Sequence, residues 1–267
     1  MSARVLLFGA SGFIGGHVRA ALEADPGVGA VICPGRRDHD LIDGDLRGLV
    51  RVIGEHAPTA IVSCVGRLGG TDSELIRGNT LVAAKLLEAA GAAPPGVRLV
   101  RLGSAGEYGV VARGRAVAEE DACGPVAAYG VSHLAGTRLF RIAGESGLAD
   151  TVSLRVFNPI GPGMSAETML GRAAERIRTA LATGAAEITM GPLSAYRDFV
   201  DVRDLAAVVP AVLRAPRLRH RVFNVGSGRA VGWIQADVSR AHEELGWAPA
   251  RDLTTSIKDI WAAGEAG

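Results

Sequence analysis

The chain has 267 residues, 48% of them hydrophobic, and a formal charge of +1. That length holds one large α/β domain, or one domain with a small appendage, and the apolar fraction suffices for a full core. The near-zero charge argues against a nucleic-acid partner, no apolar run is long enough to span a bilayer, and a core strand starting within the first few residues leaves no room for a signal peptide. Cys33, Cys64 and Cys123 are odd in number and lack metal-ligand spacing, so reduced thiols in a cytoplasmic protein, with no metal, are expected. Lys85 and Lys258 are the only lysines. Abundant Ala, Gly, Arg and Pro suggests a GC-rich genome, in which some Arg-for-Lys usage carries no chemistry.

The first element is an apolar run, Val5 to Phe8, that reads as a buried parallel strand. It breaks at a turn with Gly9, Gly12 and Gly15, and helix-like sequence follows through Val18, Ala21 and Leu22. Gly9 permits the tight turn, Gly12 a close backbone approach, and Gly15 the packing of helix on strand. Between a strand and a helix, such a triplet predicts a dinucleotide site, with Gly9, Ser11, Gly12, Phe13, Ile14 and Gly15 around the pyrophosphate.

A second strand is predicted at residues 30–33, followed by Pro34-Gly35-Arg36-Arg37. An acid at this point would suit a free ribose 2′-hydroxyl, and an arginine a 2′-phosphate. Arg36 therefore favours NADP, with NAD as the alternative; the competing reading is a pair of ordinary surface arginines. In Gly44-Asp45-Leu46, Asp45 either caps the next helix or meets the adenine amino group. The third strand is predicted at 60–65, a helix at 73–90 with Asn79 as a polar residue on its face, and the fourth strand at 97–102. A fifth strand at 152–157 precedes Asn158. Beyond it, helices are predicted at 167–182, 202–213 and from Ala236, and a short strand at 187–190. Strands alternating with helices specify a doubly wound, Rossmann-type parallel sheet of the α/β class, with ligands at the carboxyl ends of its strands.

Several further motifs stand in order: Gly103-Ser104-Ala105-Gly106-Glu107-Tyr108-Gly109, Tyr129-Gly130-Val131-Ser132, Leu154-Arg155-Val156-Phe157-Asn158-Pro159, Arg197-Asp198-Phe199-Val200-Asp201, Phe223-Asn224-Val225-Gly226 and Leu245-Gly246-Trp247. Together with the glycine turn they resemble the extended short-chain dehydrogenases/reductases of the NAD-dependent epimerase/dehydratase family, across essentially the whole chain. The resemblance implies a dinucleotide-binding part, residues 1–157, and a small C-terminal substrate lobe, mainly 158–267, with elements returning to the Rossmann core. It also implies Ser104 as the partner of the reacting oxygen, Tyr129 as the proton donor or acceptor, Leu46 beside Asp45 at the cofactor, Asn158 near the substrate and Arg197 at a nucleotide-sugar diphosphate. Helices pairing subunits in the family match the stretches at 75–90 and 127–143, so a homodimer is expected.

The family places a lysine four residues after the tyrosine, and this chain has His133 there. A tyrosine with an ordinary pKa near 10 is a poor base at pH 7, and a neighbouring cation is what would lower it. Three readings of His133 stand: a relay working with Tyr129, a reduction in which Ser104 or the substrate gives the proton, and a chain that binds dinucleotide without redox chemistry. Because a neutral phenol already carries its proton, reduction tolerates the change better than oxidation.

The family's usual insertion after Gly228, with its second diphosphate arginine, is missing. The expectation is thus an NADP(H)-dependent ketoreductase acting on a small, secondary-metabolite-like ketone, for which Trp233 is either an apolar contact or a structural residue. The alternatives are a nucleotide-sugar epimerase, dehydratase or reductase, and a non-redox dinucleotide- or ligand-binding protein. Glu107 is either a second acid/base, as dehydratases need, or a solvated residue of its glycine-rich loop; Glu119-Glu120-Asp121 is expected to form an acidic surface turn in which Asp121 is a candidate helix cap, and His17 to lie beside the phosphates by proximity alone. Asp198 and Asp201 are expected to fix their loop.

Overall fold

The computed structural model describes residues 2–112, 114–165, 168–189, 197–231 and 234–264. Six strands form one parallel sheet: β1 (Ala3–Phe8), β2 (Val28–Ile32), β3 (Ala60–Ser63), β4 (Arg98–Ser104), β5 (Asp150–Val156) and β6 (Val222–Val225), in the order β6-β5-β4-β3-β1-β2. Chain order reverses at β1, which pairs with β2 on one side and β3 on the other. The crevice outside the carboxyl ends of β1 and β3 is therefore the topological switch point, where an open α/β sheet takes its ligand.

Strand residues alternate between two buried faces, as a period of two requires. Val5, Leu7, Val62 and Val100 pack with Val18 and Leu22 of α1 (Phe13–Glu23) and with Leu205 and Val209 of α2 (Val202–Arg214). Leu6, Phe8, Ile61 and Leu99 face the opposite layer, with Leu49 and Ile53 of the helix Leu46–His56, Val82 and Leu86 of Val82–Ala89, and Phe140 of Ala128–Glu145. Burying each such side chain contributes about 1.5–3 kcal/mol, which explains why these strands read as continuous apolar runs.

The stretch between β2 and the helix Leu46–His56 forms no strand. The ammonium of Lys85 holds it, donating to the carbonyls of Ile42 at 2.8 Å and Gly44 at 2.6 Å. One of the two lysines thus has a structural post, its ammonium taken by main-chain carbonyls. The helix read at 73–90 is continuous through Ala89 but changes pitch: Asp72–Leu75 is α, Ile76–Leu81 is a π segment, and Val82–Ala89 is α again.

Past Asn158 the chain is stitched by two-residue strands. Pro159–Ile160 pairs with Val200–Asp201, Arg197–Asp198 with Ala230–Val231, and Gln235–Ala236 with Ala116–Val117. Two expectations are corrected here and one strand is added. No strand forms over 187–189, Met190 lying outside the described residues. Ala236 ends a strand and the helix begins only at Ser239, because the Ala236 amide is taken by Asp198 Oδ2 at 2.9 Å. Val222–Val225, too short to signal itself by alternation, supplies the sixth strand. Among the described residues no helix is long and apolar enough to cross a membrane, and no His/Cys/Asp/Glu cluster could hold a metal ion.

Candidate active site

The glycine turn at the end of β1 has the expected geometry. Gly9 adopts φ +81°, open only to a residue without a Cβ, and a Cβ there would come within 3.0 Å of the Cys64 carbonyl carbon. A Cβ on Gly15 would fall 1.9 Å from Gly9 O, so strand and helix touch backbone to backbone. A Cβ on Gly12 would meet only Gly9 O, at 3.4 Å, which leaves the space above this position open. Gly12 is the N-cap of α1; no side chain caps the helix, and its first turn holds no acid. Its leading N–H groups and positive dipole end suit an anion. Ser11 is exposed beside them, and Phe13 and Ile14 are half-buried. The turn fits a dinucleotide pyrophosphate.

Ser104 ends β4 with its register partner Val156 ending β5. Tyr129 and His133 lie one turn apart on the helix Ala128–Glu145, their ring centroids 4.7 Å apart at 64°. The Ser104 hydroxyl lies beside Tyr129, close enough to draw its phenol down, and accepts from the Gly106 amide at 3.1 Å. The three sequence-predicted residues therefore converge beside the switch point. Burial raises the Tyr129 phenol above its ordinary 10; Ser104 and Arg101 pull it down, and Glu107 pushes it up.

The charge of His133 is set by its surroundings. Burial, with Arg101 as a second cause, pushes the imidazole down to about 3. It is neutral at pH 7 and supplies no cation to the phenol. Below the ordinary histidine value of 6.5 the unfolded chain takes up a proton that the folded site refuses until about pH 3. This group therefore withdraws stability as pH falls through that window. The urea midpoint should accordingly drop further between pH 7 and pH 4.5 in the wild type than in His133→Gln; equal drops would refute the depressed value.

Two residues at this site gave no signal that alternation or spacing could catch. Arg101, 4% exposed, sits in β4 among apolar neighbours. Its Nη1 donates to Thr137 Oγ1 at 2.8 Å, and its Nη2 lies 3.4 Å from His133 Nδ1. Asn79, in the π segment, is 3% exposed rather than on a solvated helix face. It donates to Ser132 Oγ at 2.9 Å and accepts from the Arg67 amide at 2.8 Å, tying the loop after β3 to the helix that carries Tyr129. Both were readable only as polar residues placed where apolar ones belong.

Glu107 is also corrected: it is fully buried, not solvated. Its Oε1 accepts from the Ser104 amide at 3.1 Å and Thr137 Oγ1 at 2.8 Å, and its Oε2 pairs with Arg155 Nε at 2.8 Å. Arg155 in turn donates to the Tyr108 hydroxyl at 3.0 Å. A carboxylate so occupied braces the serine loop and has no lone pair directed to solvent. Glu119 is likewise not a surface residue; its Oε1 accepts from the Asn224 amide at 2.7 Å. Asp121 holds its own turn through the Ala118 amide, and the helix Ala128–Glu145 begins at Ala127 with no side-chain cap. Burial pushes the Cys64 thiol up to about 12, so it stays protonated.

The outer positions divide. Asp45 caps the helix Leu46–His56, accepting from the Gly48 amide at 2.8 Å, and Leu46 is that helix's first residue. Arg36 is exposed in the turn after β2. Asn158 donates to the Asp198 carbonyl at 2.8 Å while its Oδ1 accepts from Arg197 Nη1 at 3.2 Å, so bracing and the Arg197 contact are joined in one side chain. Asp198 gathers the amides of Ser227, Gly228 and Ala236, and Asp201 accepts from Ser256 Oγ at 2.7 Å, so both fix loops as expected. His17 Nε2 lies 3.0 Å from the Pro162 carbonyl, linking α1 to the loop after Pro159–Ile160. Trp233 lies outside the described residues.

A sequence profile of the NAD dependent epimerase/dehydratase family matches residues 5–226. A dTDP-6-deoxy-L-talose 4-dehydrogenase (NAD(P)(+)) of Kitasatospora kifunensis is 32% identical over 98% of this chain and 95% of its own length. A GDP-6-deoxy-D-mannose reductase of Pseudomonas aeruginosa is 29% identical over 94% of this chain and 85% of its own. Among solved structures, RMD from Pseudomonas aeruginosa complexed with NADPH superposes with a TM-score of 0.86 at 23% identity, covering 100% of both chains, which shows the shared fold. With the dinucleotide turn, the Ser104–Tyr129 pair and this match in place, the chain belongs to the NAD-dependent epimerase/dehydratase family, as an NAD(P)-dependent oxidoreductase of the extended short-chain type.

Proposed function

We propose that this protein interconverts a carbonyl and a secondary alcohol on a nucleotide-linked 6-deoxyhexose, working as an NADP(H)-dependent reductase at neutral pH. The observation that carries this reading is the 32% identity, over nearly the full length of both chains, to an enzyme named for a dTDP-linked 6-deoxysugar. A second relative acts on a GDP-linked 6-deoxysugar. These relatives favour a nucleotide sugar over the secondary-metabolite ketone expected from the shortened lobe. Residues 1–157 are taken as the dinucleotide-binding part and 158–267 as mainly the substrate lobe. The Arg197 side chain, exposed and steadied by Asn158, supports a diphosphate contact on the substrate side.

When bound at the glycine turn, the dinucleotide supplies or accepts hydride. The chain's own residues then handle the proton. The Ser104 hydroxyl bonds the carbonyl oxygen, and Tyr129 gives its phenolic proton to that oxygen as it gains charge. Because burial raises the phenol above its ordinary value, Tyr129 holds the proton at pH 7, which suits reduction; oxidation should need a more alkaline medium. Neutral His133 offers one ring N–H and one lone pair, so its role is to position rather than to supply charge.

The test is NADPH consumption at 340 nm with dTDP-linked and GDP-linked 4-keto-6-deoxyhexoses. Steady turnover with either supports the proposal. Binding of NADPH without turnover of either sugar, or turnover confined to free polycyclic ketones, would overturn it. Arg36 is assigned to the 2′-phosphate: Arg36→Ala should weaken NADPH about tenfold or more while leaving NADH nearly unchanged, on the scale of a charge-assisted contact. An unaltered NADPH/NADH affinity ratio removes that assignment. Val131, Leu139 and Ile142 give the helix Ala128–Glu145 an exposed apolar edge, supporting pairing with a second copy; a monomeric mass by light scattering would refute it.

A further inference from the structure

Arg101 is a buried cation with no carboxylate in direct contact. Its exposure is 4%, yet among the described residues it forms no ion pair. Its bonds go to neutral acceptors: Thr137 Oγ1 at 2.8 Å, the His133 carbonyl at 3.5 Å, and His133 Nδ1 at 3.4 Å. Arg155, the other buried arginine nearby, is matched by Glu107. The Glu107 carboxylate stands one hydroxyl away, behind Thr137, and offsets only part of the charge; a buried cation without a direct counter-ion is costly, and a well-packed apolar residue would normally be the more stable choice. The fold nevertheless makes room for it. A Cβ on Gly136 would come within 2.9 Å of Arg101 Nη2 and 3.0 Å of Cζ, so a glycine in mid-helix clears the guanidinium. The Phe140 ring lies beneath it, with Cζ 5.9 Å from the centroid.

The contact with His133 also fixes the imidazole. Guanidinium only donates, so Nδ1 must be the acceptor and Nε2 must carry the proton. One buried cation therefore sets the tautomer of a ring whose centroid is 4.7 Å from that of Tyr129. We propose that Arg101 is the positioning residue of this site: it supplies, from the sheet behind His133, the positive charge felt by Tyr129, and it holds His133 with its Nε2–H available to a hydroxyl acceptor. The charge acts through a region of low dielectric, where it is screened far less than at the surface. Facing Tyr129 from the packed elements are Ser104, Glu107 and Arg101, and the carboxylate of Glu107 opposes the effect. This inference rests on Tyr129 being the proton donor proposed above.

A consequence separates it from a simple histidine-for-lysine exchange. Placing a second cation at position 133 would set it against Arg101, so His133→Lys alone should lose activity. The combination Arg101→Met with His133→Lys moves one charge by a few ångströms and should recover it.

The test is a 19F NMR titration of 3-fluorotyrosine-labelled full-length protein without substrate, with Tyr129 assigned by its loss in Tyr129→Phe. Arg101→Gln should raise the Tyr129 midpoint by about one pH unit or more and lower kcat about tenfold or more. Arg101→Lys should stay within a few tenths of a unit of wild type. An Arg101→Gln midpoint equal to wild type overturns the proposal. If that variant does not fold, the double variant decides: a midpoint near wild type with activity above His133→Lys supports the proposal, and a raised midpoint with no recovery overturns it. Because the titration needs no substrate, a Tyr129→Phe protein that keeps its activity would sink the proton-donor reading while leaving the charge measurement to stand or fall alone.

Discussion

Tyr129→Phe is expected to lower kcat by about 10²–10⁴, the scale of a lost general acid, while leaving NADPH affinity close to wild type. The substitution removes one oxygen. The ring can keep its packing against His133, 4.7 Å away between centroids, so the fold should be preserved. What disappears is the hydroxyl beside Ser104, and with it the proton nearest the developing alkoxide. Pre-steady-state hydride transfer, followed by loss of NADPH absorbance in a single turnover, separates this loss from slower product release. Full retention of activity would transfer the proton to Ser104 or to the substrate. A comparable fall in affinity and in rate would instead place Tyr129 among the binding residues.

Glu107→Ala should be the most destabilising single change near the site, costing about 3–5 kcal/mol by the precedent of a broken buried ion pair. It strands the Arg155 guanidinium, whose side chain is 5% exposed. It also frees the Ser104 amide and the Thr137 hydroxyl, which bond the same carboxylate at 3.1 Å and 2.8 Å. Urea unfolding should show the loss as a lowered midpoint with little change in slope. A loss under about 1 kcal/mol, the range of exposed pairs, would mean that water compensates the pair. Because Glu107 anchors the backbone of Ser104, any folded fraction should also have a reduced kcat. Glu107→Gln keeps the shape and one acceptor, and should recover part of the stability without the charge.

How far the sequence reaches can be judged from individual residues. The strand at Val5–Phe8 and the turn at Gly9–Gly15 were legible because their causes are local: continuous burial on both sheet faces, a positive φ at Gly9, and a helix beginning without a capping side chain. Ser104 and Tyr129 were found by motif resemblance, and the fold brings them together because β4 ends where the helix Ala128–Glu145 begins its first turn. Glu107 was misjudged because a glycine-rich loop reads as solvent-exposed, whereas its partner Arg155 lies 48 residues later. Asn79 reads only as a polar residue on a helix face because helical spacing carries no sign that Ser132, 53 residues on, lies against it. The short strand Val222–Val225 is recruited by pairing with β5, and pairing leaves no periodic mark over four residues.

The sequence alone therefore determined the doubly wound frame and the glycine turn after β1, whose causes lie within a turn or two, while motif resemblance singled out Ser104 and Tyr129. It also showed that His133 stands where a cation was expected. Only the tertiary structure decided where the charge is. Burial leaves His133 neutral, with its imidazole pushed down to about 3, and β4 places the Arg101 guanidinium 3.4 Å behind it. Ionisation and pairing depend on desolvation and on charges delivered by separate elements, and those are properties of the packed molecule rather than of any stretch of its chain.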